Sequence, residues 1–267
     1  LSGFSNSANN VEVMVTEIVS STVVKYVGPT LVNETGTGTS YDKADYLDIG
    51  TTKKSFSIEK KFTDLTTKGI NYRGMMISQA SFKFAHGELA TGSFSFSGND
   101  QEAVDSSSDL ITNARTVNSP ATSKTMNGSI DMPFFASNLA TDWDTTSLLV
   151  NSINLQISNN LTPRNAIGEA APVEYSLGTC QVKIDISAYL KDSMWDAMAK
   201  KLAQTPISVA FQIKNDDGWY AFYIPQLQLT FPDPAAGGQN QDIMVNMSGV
   251  AKVGASSESA ISVYRSN

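Results

Sequence analysis

Catalysis would have to start from histidine, cysteine or paired carboxylates, and this chain offers few of them. His86 is the single histidine, in Ala85-His86-Gly87 at the end of an alternating segment. With no second imidazole to share a metal, it reads as a solvated turn residue rather than a base or a zinc ligand. Cys180 is the single cysteine, so no intramolecular disulfide can form, and its place beside a strand marks a small buried apolar side chain. Asp216-Asp217 and Asp142/Asp144 have the residue type for glycoside hydrolysis, but Asn215-Asp216-Asp217-Gly218 is turn chemistry. Asp42, Asp45 and Asp48 recur at threes beside Tyr41 and Tyr46, yet the mid-loop Gly and closing Glu of a calcium loop are missing.

Phosphate and sugar chemistry fare no better. Gly36-Thr37-Gly38 and Gly237-Gly238 lack a following Lys-Ser/Thr and a helix start, and read as flexible loops. Trp219, Tyr220, Phe222 and Tyr223 alternate, so half of them face a core or an interface rather than a sugar. Asn-X-Ser/Thr triplets at Asn33, Asn127, Asn160 and Asn246 would matter only in a secretory pathway. No catalytic, metal or cofactor-binding residue is expected.

The elements that would carry such residues follow from composition. The 267 residues hold 19 basic and 26 acidic side chains, a net charge of −7, with 17% charged and 41% hydrophobic residues and 18 glycines. That excludes collagen-like, disordered and coiled-coil chains, and the acidic balance disfavours gripping nucleic acid. No apolar run approaches the ~20 residues that span a bilayer as a helix, and no membrane partner is expected.

Alternation at period 2 dominates, because only alternate strand side chains face a core. It runs through 11–18, 22–27, Phe56 and Ile58, Met75 to Ile77, Phe82 and Phe84, Phe94 and Phe96, Ile153 to Ile157, Val182 to Ile186, Val209 to Ile213, Tyr220 to Ile224, Leu227 to Phe231 and Ile243 to Met247. One amphipathic helix is predicted at about 187–204, with Ser187 as N-cap, Leu190, Met194, Met198 and Leu202 on one face and Pro206 beyond its end. The stretch 99–127, rich in Ser, Asp, Asn and Thr, reads as a linker.

The two halves repeat each other. Tyr72, Met75, Met76, Ile77, Gln79, Phe82 and Phe84 fall on Trp219, Phe222, Tyr223, Ile224, Gln226, Leu229 and Phe231. Ser55, Phe56 and Ile58 fall on Ser208, Val209 and Phe211, and Phe94, Phe96, Ser97 and Gly98 on Val245, Met247, Ser248 and Gly249. The expected fold is mainly β: tandem small β-barrel or sandwich modules over 1–125 and 126–267, with the short flanking helix. Because nothing precedes the first copy to match 150–204, its counterpart is expected upstream of Leu1.

Taken in order, Lys54-Ser-Phe-Ser-Ile-Glu-Lys-Lys-Phe-Thr-Asp64, Tyr72-Arg-Gly-Met-Met-Ile77, Gly87 through Gly98, Ile153 through Leu161 with Gly168, and Asp217-Gly218 through Pro225 resemble the major tail tube protein of long-tailed (Caudoviricetes-type) bacteriophages, in its longer two-module form. The resemblance covers about 54–98 and 150–249. It implies a virion component made in the bacterial host cytoplasm, whose subunits join copies of themselves and other tail proteins into stacked rings. Genomic DNA would pass through the tube without specific binding. Two modules per chain imply three chains per six-module ring. The family normally carries a further N-terminal strand-rich segment, and the strands at 11–27 read as a local insertion.

Assembly contacts are expected in the loop 85–92, through Gly87, Glu88 and Leu89, in its counterpart 232–241, through Asp233, Gly237, Gly238 and Asn240, and in 99–127. Two other readings stay open: a surface or secreted β-sandwich adhesin or carbohydrate-binding module, and a tube-like distal tail or baseplate protein.

Overall fold

In the computed structural model, the described residues are 4–10, 13–20, 23–27, 31–35, 45–62, 64–65, 67–105, 134–136, 150–190, 206–215, 218–230, 232, 234, 238, 242–253 and 259–265. Among these described residues a 3-10 turn, Ser7–Asn9, precedes sixteen strands: β1 (Met14–Ser20), β2 (Val23–Val27), β3 (Asp45–Asp48), β4 (Phe56–Lys61), β5 (Gly69–Ala85), β6 (Thr91–Ser97), β7 (Asp100–Val104), β8 (Phe134–Ala136), β9 (Val150–Ser158), β10 (Thr162–Arg164), β11 (Glu174–Ser176), β12 (Gln181–Tyr189), β13 (Ile207–Asn215), β14 (Gly218–Thr230), β15 (Met244–Lys252) and β16 (Ser262–Arg265). β1–β2 and β10–β11 are separate hairpins; the other twelve strands form one antiparallel sheet along the path β3-β16-β14-β15-β12-β9-β5-β4.

The mainly β expectation holds, and the helix at 187–204 does not begin where its cap was placed. Residues 187–189 continue β12, with Ser187 paired to Ser152 on one side and Asn246 on the other. The alternation Val182, Ile184, Ile186 runs on through Ala188, all buried, and that strand phase overrides the N-cap preference of Ser187. Leu190 follows the strand, and its amide donates to Ile243 O at 2.8 Å. The rest of the helix expectation, 191–204, lies outside the described residues.

Met75 to Ile77 and Phe82 to Phe84 prove to be parts of one 17-residue strand, β5. β7 flanks 69–73 and β6 flanks 76–83 on one edge, while β4 flanks 69–75 and β9 flanks 79–85 on the other. The strand bends at Gly74, where φ is +63°. A bulky residue resists that left-handed conformation. Opposite the bend, the Asn99 amide donates to Arg73 O at 3.2 Å, and a Cβ on Gly98 would lie 2.0 Å from Met75 Sδ. The β10–β11 hairpin is tied to the same spot: Asn99 Nδ2 donates to Val173 O, and Tyr175 OH to Gly98 O, each at 3.1 Å.

The repeat reappears as a pairing pattern. β14 is flanked by β13 on one edge and by β15 then β16 on the other, as β5 is by β4 and by β6 then β7. Phe82 faces Gly92 and Leu229 faces Gly249. The strand register therefore matches Gly249 with Gly92 and not with Gly98, and the second copy's connecting loop is longer than the sequence overlay made it. Apolar phase alone cannot fix register across loops of unequal length.

One apolar core lies inside the curl of this sheet. Ile153, Leu155, Val182, Ile184, Ile186, Val245, Met247, Leu227 and Leu229 line it from the middle strands. Phe84 of β5 meets Phe211 of β13 and Phe222 of β14, ring centroids 5.6 and 5.5 Å away, and those two rings stack at 4.9 Å. Strands four and five places apart in the sheet order can touch this way only if the sheet curls over. Residues 207–211 are all buried, so β13 is covered on both faces rather than one.

Candidate assembly surface

The loop after β5 is built by its first residues. His86 donates its amide to Asn151 O at 2.9 Å, and Glu88 donates to Ala85 O at 3.2 Å, closing a tight turn with Gly87 at φ +73°. No atom approaches a Cβ placed on Gly87, so the glycine serves backbone conformation alone. Lys83 Nζ meets Glu88 Oε2 at 2.7 Å, an exposed pair worth little. Leu89 is 53% exposed. The structure thus brings Gly87, Glu88 and Leu89 together on one exposed turn. Of the counterpart residues, Gly238 is exposed with φ +142°; Asp233, Gly237 and Asn240 lie outside the described residues, as does 106–127 of the Ser/Asn-rich stretch. Residues 100–104 of that stretch form β7 rather than linker.

Of the residues weighed for chemistry, those described have these surroundings. His86 is exposed on the turn. Cys180 packs at the margin of the core, where burial pushes its thiol pKa up, away from the thiolate a nucleophile needs. Asp45 Oδ2 accepts from Arg265 Nη2 at 2.7 Å and Nε at 3.1 Å, which holds the guanidinium pKa above its ordinary value. Asp48 accepts from Ser262 Oγ. These two carboxylates tie β3 to β16 instead of converging on a cation; Asp42, Asp142, Asp144, Asp216 and Asp217 lie outside the described residues. Of the aromatic run, Phe222 is core and Tyr220 is 40% exposed.

A single carboxylate held between two cations organises one surface near β10–β11. Glu174 Oε1 accepts from Lys53 Nζ and Oε2 from Arg164 Nη1 at 3.3 Å. The Lys53 hydrogen bond and charge, then the Arg164 charge, hold Glu174 below the usual carboxylate range. Lys53, Lys54, Gly74, Asn99 and Tyr175 line a shallow hollow there.

Sequence reasoning missed the surface around β6. Ser93-Phe94-Ser95-Phe96-Ser97 alternates as a half-buried strand should, but the structure leaves Thr91 through Phe96 exposed. Phe94 is 53% and Phe96 38% exposed, with Phe56 of β4 at 46% beside them. Phe96 lies edge-on to Phe56 at 6.4 Å, and Phe94 edge-on to Phe82 at 5.8 Å. The phase of the alternation was right: Phe94 pairs with Ala80, on the core-facing side of β5. Its face runs past the core's rim, which periodicity cannot register.

No curated protein matches the chain. The family model of the phage tail tube protein matches residues 8–251, taking in the long strands β5 and β14 and the exposed β6 surface, and the chain therefore belongs to the phage tail tube protein family.

Proposed function

We propose that this protein is the major tail tube subunit of a long-tailed phage, polymerising without a cofactor into stacked rings through which DNA leaves the particle. The observation that carries this reading is the family match over nearly the whole chain, and the surface supports it. A lone soluble protein seldom leaves Phe56, Phe94, Phe96 and Leu89 uncovered together with an open strand edge. Head-to-tail contacts between identical surfaces close into rings, and contacts between rings extend a filament. Each half supplies one long strand with flanking strands, so three chains would give a ring of six such units, with the turn at Gly87 to Leu89 and the 232–241 loop reaching between subunits. A net charge of −7 leaves DNA little to adhere to. Negative-stain microscopy of the purified protein tests this: rings or tubes of constant diameter are expected, and a monodisperse monomer at high concentration would overturn it. Copy number per particle separates the tube subunit from a distal tail or baseplate protein.

A further inference from the structure

The two repeats differ in what lies outside them. In the second, each strand flanking β14 has a further partner: β8 pairs with β13, β12 with β15, and β3 with β16. In the first, β4, β6 and β7 pair with β5 and with no other strand among the described residues. Among the described residues, the strands flanking β14 are thus each continued outward, whereas of those bordering β5 only β9 is, by β12.

The open borders are not alike. β4 carries Glu59, Lys60 and Lys61, and charges on an edge strand discourage further pairing. β7 carries Asp100 and Glu102, both salt-bridged to Arg73. β6 reads Thr-Gly-Ser-Phe-Ser-Phe-Ser, without a charge or a proline. No strand among the described residues pairs with its outer backbone edge, and Phe94 and Phe96 flank it with uncovered apolar area. An exposed edge of this composition is a template for strand addition, main-chain hydrogen bonds supplying affinity and alternate side chains the fit.

The register says what fits. Gly92 stands opposite Phe82 as Gly249 stands opposite Leu229, so β6 occupies in the first repeat the place of β15 in the second. The strand that closes β15 belongs to this same chain: β12, antiparallel, from Lys183↔Val250 to Tyr189↔Met244. We propose that a second copy of this chain lays an antiparallel strand along the outer edge of β6, in the position β12 takes along β15, and covers Phe94 and Phe96. The inference rests on the self-assembly proposed above and adds which border is used.

The test is hydrogen exchange read by mass spectrometry on the full chain, dilute and then concentrated into assemblies, in peptides spanning 89–99. Outward-facing amides of an open edge that enter a ladder should slow by roughly tenfold or more on assembly. In parallel, the double variant Phe94→Glu, Phe96→Glu should raise the concentration needed for assembly by about tenfold or more while leaving the far-UV circular dichroism of the dilute protein unchanged, because both rings are already exposed. Should that variant misfold, the exchange measurement on the parent chain decides alone. Assemblies in which 91–97 exchange as fast as in the dilute chain would overturn this assignment and leave the tube reading standing. Protection that appears only when another tail protein is added would replace the second copy with that protein, and a chain that never assembles would overturn both proposals.

Discussion

Replacing Gly249 with alanine should destabilise the protein by about 1–2 kcal/mol. A Cβ built at this position lies 2.6 Å from Leu227 Cδ1 and 2.7 Å from Cγ, closer than non-bonded carbons approach. Leu227 is 0% exposed and sits within the core, so it cannot swing into water to make room. Forcing a methyl into such a site costs about 1–3 kcal/mol. Restricting the unfolded chain returns about 0.4–1 kcal/mol, and mid-range values of the two terms leave a net loss of about 1.3 kcal/mol. The equivalent Gly92→Ala change is the control. Its Cβ would lie 3.0 Å from Phe82 Cδ1, but Phe82 is only half-buried and can tilt, so a change within about 0.5 kcal/mol is expected. Leu227→Ala alone should cost about 2–5 kcal/mol, and adding Gly249→Ala to it should cost less than the two changes summed, since the new methyl then enters vacated space. Urea unfolding followed by circular dichroism, below the assembly concentration, measures all four proteins. A Gly249→Ala protein as stable as its parent, or a Gly92→Ala protein less stable than it, would refute the packing argument.

Phe84→Ala should remove about 3–5 kcal/mol, because the ring is 2% exposed and joins β5 to Phe211 and Phe222; a thermal shift corresponding to less than about 1 kcal/mol, at roughly 2–4 °C per kcal/mol, would count against the curl of the sheet. Cys180 should alkylate with iodoacetamide more slowly at pH 8 than a free thiol and accelerate only at higher pH, since burial holds its pKa up; a rate matching free cysteine would refute its burial. Glu34 accepts from the amides of Ser5 at 2.9 Å and Asn6 at 3.1 Å and from Asn9 Nδ2 at 2.9 Å, chiefly the Asn6 amide lowering its pKa. This clamp is complete above the ordinary carboxylate pKa and is lost as pH falls through the lowered value. Glu34→Gln should accordingly speed hydrogen exchange at Ser5 and Asn6 and flatten its acid dependence; unchanged exchange would show that the clamp does not hold the turn.

Strand phase was legible wherever one face is buried. Ile153, Leu155, Val182, Ile184 and Ile186 sit in the core as their alternation demanded, because period 2 admits only two choices and hydrophobicity decides between them. Ser187 misled because a serine ahead of apolar residues spaced by four is a sound helix start in isolation, while its partners Ser152 and Asn246 arrive from distant segments. Tertiary pairing overrode local propensity. The Gly87 turn announced itself through Gly and His at a strand end, but the border of β6 is defined by its having no further partner among the described residues. A sequence states what a strand contains and not what lies next to it.

The seam between β3 and β16 has a consequence for timing. Asp45 and Arg265 stand 220 positions apart along the chain, and joining them requires closing nearly the whole polypeptide into a loop, a slow kind of contact to form. On the ribosome, residues 45–48 must wait for 262–265 to be made before their ladder exists. A chain translated only as far as β14 thus has no β3–β16 seam, and that border of the sheet stays unfinished until 262–265 have been made.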